Sequence, residues 1–139
     1  MSQPKLASNF IVLDSNQTAT EMPVTDRIYE ELDANFGQFK ACLLVSEYTF
    51  STDWVSWEMH PNGDETLYLI SGKATLLLYS KGVESRIEFN SPGSFAIIPK
   101  GTWHTALVET HCTILFITPG EGTINGSDPR PAEDYMANS

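Results

Sequence analysis

The sequence predicts an all-β fold, an antiparallel sandwich or barrel, with one short helix near the N-terminus. From residue 39 to residue 118, short runs rich in β-branched and aromatic residues alternate with turn-forming pairs. These pairs include Asn62-Gly63, Ser71-Gly72, Lys81-Gly82 and Pro92-Gly93. Many short strands at regular spacing, with almost no helix, are typical of sandwiches and barrels.

The elements follow in order along a single domain, residues 1–139. Residues 1–38 contain a strand candidate at 10–14 and a short helix that Thr25 can cap. Ile28, Tyr29, Leu32 and Phe36 form one apolar stripe on this helix, and Gly37 ends it. The core, about 39–118, holds strand candidates at 40–48, 55–60, 65–70, 73–79, 85–89, 94–98, 104–108 and 112–118. Residues 119–139 are rich in Gly, Pro, Asn and acids, which predicts an irregular tail.

Composition excludes several classes of protein. Hydrophobic residues make up 41% of the 139 residues and charged residues 19%, which favours a packed globule. The net charge of −10 disfavours nucleic-acid binding. We see neither a membrane-spanning run nor a secretory signal, so we expect a cytoplasmic protein. Cys42 and Cys112 both lie in apolar runs and are interpreted as buried thiols, with a disulfide or a reactive thiol as the alternative.

The stretch from residue 57 to residue 72, WEMHPNGDETLYLISG, carries the most chemical information. If Asn62-Gly63 forms a two-residue hairpin turn, His60 faces Glu65 directly across the strands. Glu58 shares their face, because it lies two residues before His60. The leucines that alternate with Glu65 make this face apolar, and a buried carboxylate needs a cation or a donor. The alternative is that the acidic residues only decorate an exposed turn.

The second informative stretch is Gly93-x5-Pro99-x-Gly101-x2-His104, in which a tight turn precedes the histidine. By itself His104 would be a structural histidine. Together with Glu58-x-His60-x4-Glu65-x6-Gly72, however, it resembles the two motifs of the cupin superfamily, G-x5-H-x-H-x3-4-E-x6-G and G-x5-P-x-G-x2-H-x3-N. The resemblance implies a jelly-roll barrel, a double-stranded β-helix, that holds one divalent metal ion. The residues at the matching positions, and hence the implied ligands, are Glu58, His60, Glu65 and His104.

The sequence departs from these motifs at two positions. Val108 replaces the closing asparagine, and Glu58 replaces the first metal-binding histidine. Two histidines and two carboxylates neutralise a divalent ion, which favours Fe²⁺ or Mn²⁺ over Ni²⁺ or Zn²⁺. If Glu58 is not a ligand, the other three residues form a two-histidine, one-carboxylate facial set. A degenerate site that binds no metal is the remaining alternative.

A cupin fold does not identify a reaction. Our first hypothesis is a metal-dependent, dioxygenase-like enzyme acting on a small oxygen-rich organic molecule, with Glu58 or Glu65 as a catalytic base. An isomerase or lyase is a variant of it. The second hypothesis is a non-catalytic small-molecule-binding or sensing protein. Trp54, Trp57 and Trp103 flank the motifs and either belong to the core or stack on a ligand.

Two further expectations concern His111 and the oligomeric state. His111 follows a turn at the far end of its strand and is interpreted as an exposed or structural residue. We expect a homodimer, because the N-terminal strand around residues 10–13 has little of its own sheet to pack against.

Overall fold

In a computed structural model, which describes residues 2–131, the chain folds into two antiparallel sheets and one short helix; residues 132–139 of the predicted tail lie outside the described residues. The first sheet has the order β2-β1-β3-β10-β5-β8 and the second β11-β4-β9-β6-β7. Their bounds are β1 Asn9–Leu13, β2 Ala19–Pro23, α1 Ile28–Asn35, β3 Leu43–Phe50, β4 Trp57–Met59, β5 Glu65–Gly72, β6 Ala74–Ser80, β7 Val83–Phe89, β8 Phe95–Ile98, β9 Trp103–Leu107, β10 Cys112–Thr118 and β11 Ile124–Gly126.

The main core lies between the two sheets, where apolar side chains at alternate strand positions meet. Leu67 and Leu69 of β5 and Ile114 of β10 enter it from the first sheet, and Leu76 of β6 from the second. All four side chains are at most 2% exposed. This alternation along each strand is what the sequence predicted, so the all-β fold class is confirmed. Within residues 2–131, no helix is long and apolar enough to span a membrane.

The predicted strands are all present, with ends shifted by up to three residues and β10 at its predicted bounds. The strand β2 was missed. It pairs only with β1, at the edge of the first sheet, and its side chains are exposed or half-buried. An edge strand of this kind carries no apolar alternation by which it could be recognised.

The short N-terminal helix is confirmed, but two details differ from the prediction. Arg27, not Thr25, precedes the first helical residue, and no side chain caps the helix. Thr25 instead accepts a hydrogen bond from the backbone N–H of Arg27 in the turn before it. Ile28 and Leu32 are buried as predicted, whereas Tyr29 is 56% exposed.

The predicted hairpin at Asn62-Gly63 is wrong. The strand before it, β4, lies in the second sheet, and the strand after it, β5, lies in the first. Neither residue of the pair has a positive φ among the described residues, as a type I′ hairpin turn requires. The pair therefore connects the two sheets. By contrast, Lys81-Gly82 has positive φ at both residues and joins the paired strands β6 and β7.

The sequence predicted an irregular tail from residue 119 onward, but part of this segment forms a strand. Residues 124–126 form β11, which pairs antiparallel with β4. Before β11 the chain packs closely against Gly63. A Cβ added to Gly63 would lie only 2.9 Å from the side chain of Pro119. The C-terminal segment thereby returns to the strand that carries Glu58.

The reason that we gave for a homodimer does not hold. Phe10 and Val12 of β1 are 0% exposed within the chain itself. They belong to a second apolar cluster with Ile28 and Leu32 of α1, which covers this part of the sheet. The homodimer itself stays a prediction. Cys42 and Cys112 are both buried and free, as interpreted from the sequence.

Gly72, which ends β5, is expected to tolerate no side chain. Its φ is +77°, and a Cβ there would lie 2.1 Å from the carbonyl oxygen of His111 and 2.8 Å from Cys112 Cα. Gly72→Ala should therefore lower the free energy of unfolding by about 2–4 kcal/mol in urea titrations. Gly82→Ala is the control: φ is +80° but nothing lies within 4 Å, so we expect a loss of about 1 kcal/mol. Equal losses in the two variants would contradict this account.

Candidate metal centre

Four side chains from both sheets converge on one point inside the barrel. Glu58 on β4 and His104 on β9 are direct cross-strand partners in the second sheet. His60 follows the end of β4, and Glu65 begins β5 in the first sheet. The packing of the two sheets therefore brings the four predicted ligands together. The expectation that one hairpin carries three of them, Glu58, His60 and Glu65, is wrong.

The backbone fixes the loops that carry these residues. The N–H of Gly101, in the turn before His104, donates to the carbonyl of His60 at 3.0 Å. Asp64 accepts a hydrogen bond of 2.7 Å from the backbone N–H of Lys100. These two bonds tie the first motif directly to the second, and they show that Asp64 has a structural contact in its turn.

The donor atoms of the four residues are spaced as ligands of one ion would be. His104 Nε2 lies 3.1 Å from Glu65 Oε1 and 3.5 Å from Glu58 Oε1. His60 Nε2 lies 3.4 Å from Glu58 Oε1 and 3.3 Å from Glu65 Oε2. Ligand atoms about 2.1 Å from a shared ion lie about 3.0–3.5 Å from each other. The four residues could therefore hold a metal ion.

Three of these donor atoms are buried without a hydrogen-bond partner among the described residues: His60 Nε2, His104 Nε2 and Glu65 Oε1. The close approaches between imidazole nitrogens and carboxylate oxygens thus lack the directions of normal hydrogen bonds. Polar atoms that are buried and unpaired cost about 1–3 kcal/mol each. Three such atoms around one centre are the donor set that a bound cation requires, and they do not form a self-contained ion-pair network.

Neighbouring groups orient each buried ligand. Thr102 offers only a carbonyl oxygen to His104 Nδ1, at 3.1 Å, so this nitrogen is the donor. Thr123 Oγ1 donates to the carbonyl of Gly120 at 2.9 Å and lies 2.8 Å from His60 Nδ1, which must therefore donate to it. With both Nδ1 atoms used as donors, both Nε2 atoms are directed to the centre.

Glu65 is held in a similar way. The hydroxyl of Thr118 donates to its Oε2 at 2.6 Å, which leaves Oε1 for the centre. The side chain of Glu65 is 1% exposed, whereas that of Glu58 is 27% exposed and borders a cavity of about 1080 Å³. The centre thus has a closed side, toward the core, and an open side at Glu58.

The protonation of these groups reflects their mutual attraction. Burial alone would raise the pKa of Glu58, but the attraction of the closely approaching imidazoles of His104 and His60 lowers it to about 2. The pKa of Glu65 is lowered against the effect of burial by the same two partners. Burial disfavours protonated histidines, yet the two carboxylates raise the pKa of His60 to about 9 and of His104 to about 10. A divalent ion would replace two imidazole protons and leave the total charge unchanged.

The three tryptophans lie in three different environments. Trp54 lines the cavity, 6.2 Å from the ring of His104 between centroids. Trp57 is buried, with the guanidinium of Arg130 5.1 Å above its ring, and Trp103 packs against Gly126. His111 is exposed and outside the centre, as interpreted from the sequence.

Sequence reasoning missed Thr118 and Thr123, the side chains that orient Glu65 and His60. They lie 53 and 63 residues away from these partners along the chain. Threonines in a strand end and in an apparently irregular tail give no signal of a contact at such separation. Only the return of the tail to β4 places Thr123 beside His60.

We expect Thr123→Val to weaken the binding of Mn²⁺ by about tenfold or more, because it removes the acceptor that orients His60. Thr123→Ser should keep the acceptor and most of the affinity. Thr113→Val is the matched control, since within residues 2–131 the Thr113 hydroxyl is hydrogen-bonded only to the Thr49 hydroxyl, in an exposed pair. Calorimetric titrations of the four proteins provide the measurement. Wild-type affinity in Thr123→Val would show that this contact does not orient a ligand.

Comparisons with known proteins bear on the fold. No protein-family model matches the sequence, and no curated protein matches it. Among solved structures, oxalate decarboxylase of Bacillus subtilis, characterised for its Mn(II) centres, is 19% identical, with a TM-score of 0.52. That match covers 69% of this chain but only 28% of the decarboxylase. A cupin-2 domain protein of Shewanella frigidimarina is 23% identical over 55% of this chain and 70% of its own, with a TM-score of 0.42. The chain has the jelly-roll fold of the cupin superfamily.

Proposed function

We propose that this chain is a metal-dependent enzyme that oxidises a small oxygen-rich organic molecule in the manner of a dioxygenase. The observation that carries the proposal is the set of three unpaired buried donor atoms, on His60, Glu65 and His104. They surround one point next to a large cavity, where a substrate has room to approach the ion. In the proposed reaction both atoms of O₂ enter the product and the organic substrate supplies all the electrons, so no external reductant is needed.

Iron or manganese is the ion that we propose. Two imidazoles and two carboxylates neutralise a divalent charge and present as many oxygen as nitrogen donors, which suits harder ions. Mn(II) in the oxalate decarboxylase of similar fold is consistent with this choice. Such an ion supplies Lewis-acid and redox chemistry at the centre.

Glu58 is better suited than Glu65 to act as a base. Its side chain is partly exposed and lies at the cavity, and among the described residues no side chain outside the centre is hydrogen-bonded to it. Glu65 is buried and held by Thr118, so a movement away from the centre would break that bond. We therefore assign proton transfer to Glu58 and a fixed ligand role to Glu65.

Oxalate is not the substrate that we propose, although a protein of similar fold acts on it. Oxalate carries two negative charges at neutral pH. Lys40 is the one lysine among the described residues that line the cavity, which include no arginine. Without cationic partners, a small dianion would gain little from this site beyond the metal ion itself.

The test is metal analysis of protein purified without added metal, followed by O₂-uptake measurements with enediols and catechols. We expect up to one equivalent of iron or manganese per chain, and O₂ uptake matched to substrate loss.

His60→Ala and His104→Ala should lose the metal and the O₂ uptake but keep a β-sheet circular dichroism spectrum, because the apolar core does not depend on the ion. His111→Ala is the control and should keep both. A full metal complement in His104→Ala would refute the assigned site, and tight ligand binding without turnover would identify a binding protein instead.

Glu58 sets the metal preference in this proposal. Glu58→His should raise the charge of the centre by about one unit and shift preference toward Ni²⁺, Cu²⁺ or Zn²⁺. Glu58→Gln should weaken Mn²⁺ binding by removing a charge while keeping an oxygen donor. Competitive titrations with Mn²⁺ and Ni²⁺ measure both effects. Unchanged affinities in both variants would leave only the facial set of His60, Glu65 and His104 as ligands.

A further inference from the structure

The cavity beside the candidate centre has an aromatic wall, which we define as Tyr48, Phe50, Trp54 and Phe116. Trp54 is its middle member. Ring centroids of Phe50 and Phe116 lie 5.3 Å and 6.0 Å from that of Trp54. The centroid of the Trp54 ring lies 6.2 Å from that of His104, so a flat molecule stacked on Trp54 would have one edge near the metal centre.

The charges around the cavity are mostly negative. Apart from the carboxylates of the centre, its lining includes Asp33, Asp53 and Glu121, against the single cation Lys40. Two of these acids are fixed in place, since Asp53 accepts a hydrogen bond from the backbone N–H of Val108 and Glu121 from that of Ala41. With a divalent ion and its two carboxylates cancelling each other, the remaining field repels anions and attracts cations.

Trp54 has a further property that bears on the ligand. Its Nε1 is shielded from solvent and has no hydrogen-bond partner among the described residues. The ring is therefore positioned by packing against its aromatic neighbours, and it offers a ligand its face and not its N–H.

We propose that the cavity binds a planar aromatic molecule with oxygen substituents and no negative charge, stacked on the aromatic wall with its oxygens toward the centre. This inference rests on the proposed function in one respect, namely that the oxygen substituents of the ligand face the metal. It goes further by naming the substrate class and its charge. The stacking surface and the field of the acidic side chains belong to the chain itself and do not depend on the ion.

Three probes that share one dihydroxyphenyl ring test the charge. They are 4-methylcatechol, which is neutral, dopamine, which is cationic, and protocatechuate, which carries a carboxylate. Calorimetric titrations are made without oxygen, on the full chain loaded with Mn²⁺ and on the metal-free chain. We expect the neutral and cationic probes to bind at least about tenfold more tightly than the anionic probe in both forms. Protocatechuate binding as tightly as 4-methylcatechol, or no probe binding to the loaded chain, would overturn the inference.

Variants of the wall separate this inference from the proposed function. Trp54→Ala should weaken 4-methylcatechol about tenfold, and Trp54→Phe should restore most of the affinity by restoring a ring. Phe95→Ala is the control, because Phe95 is 67% exposed on β8 and does not line the cavity. If the chain binds no metal, the proposed function fails, and the metal-free titrations still decide the inference. If the chain binds metal but Trp54→Ala binds the probes as wild type does, the inference alone fails.

Discussion

The burial of the Glu65 carboxylate among apolar side chains is the constraint on which the rest of the site depends. A charge in that position is tolerated only with strong partners. The chain supplies two imidazoles at the centre and the Thr118 hydroxyl behind them, but one carboxylate oxygen and both Nε2 atoms stay without hydrogen bonds. The centre borders the apolar core on one side and the cavity on the other, so a partner for these atoms can enter only from the cavity.

The C-terminal segment takes part in that arrangement, although its composition resembles that of a loose tail. It passes Gly63 closely through Pro119, places the Thr123 hydroxyl on His60, and then pairs as β11 with the strand of Glu58. The same segment lines one side of the cavity through Glu121 and Asn125. About eight residues after the last core strand thus couple three properties of the site: the orientation of a ligand, the access to the centre and the charge of the cavity.

The asymmetry of the centre follows from which sheet supplies each ligand. Glu65 begins a strand of the first sheet and is held from behind by β10. Glu58 lies on the short strand β4 and faces the open cavity. The two carboxylates therefore differ in mobility: Glu65 is fixed, and Glu58 is able to move. The aromatic wall stands on the open side, so stacking, proton transfer and metal coordination are placed next to each other.

Alternation and turn-forming residues are local properties, so the sequence by itself determined the β class and the positions of the strands other than β2 and β11. The four converging residues were identified by the resemblance of their spacing to the cupin motifs. It also showed that Glu58 replaces a histidine. Only the tertiary structure decided how these residues meet. Asn62-Gly63 has the composition of a hairpin turn, yet it connects two sheets. The backbone there does not adopt positive φ, and the flanking strands pair with other strands, β4 with β9 and β11 and β5 with β8 and β10. The partners Thr118 and Thr123, the strand β11 and the aromatic wall depend on contacts between residues distant in sequence, which no local pattern encodes.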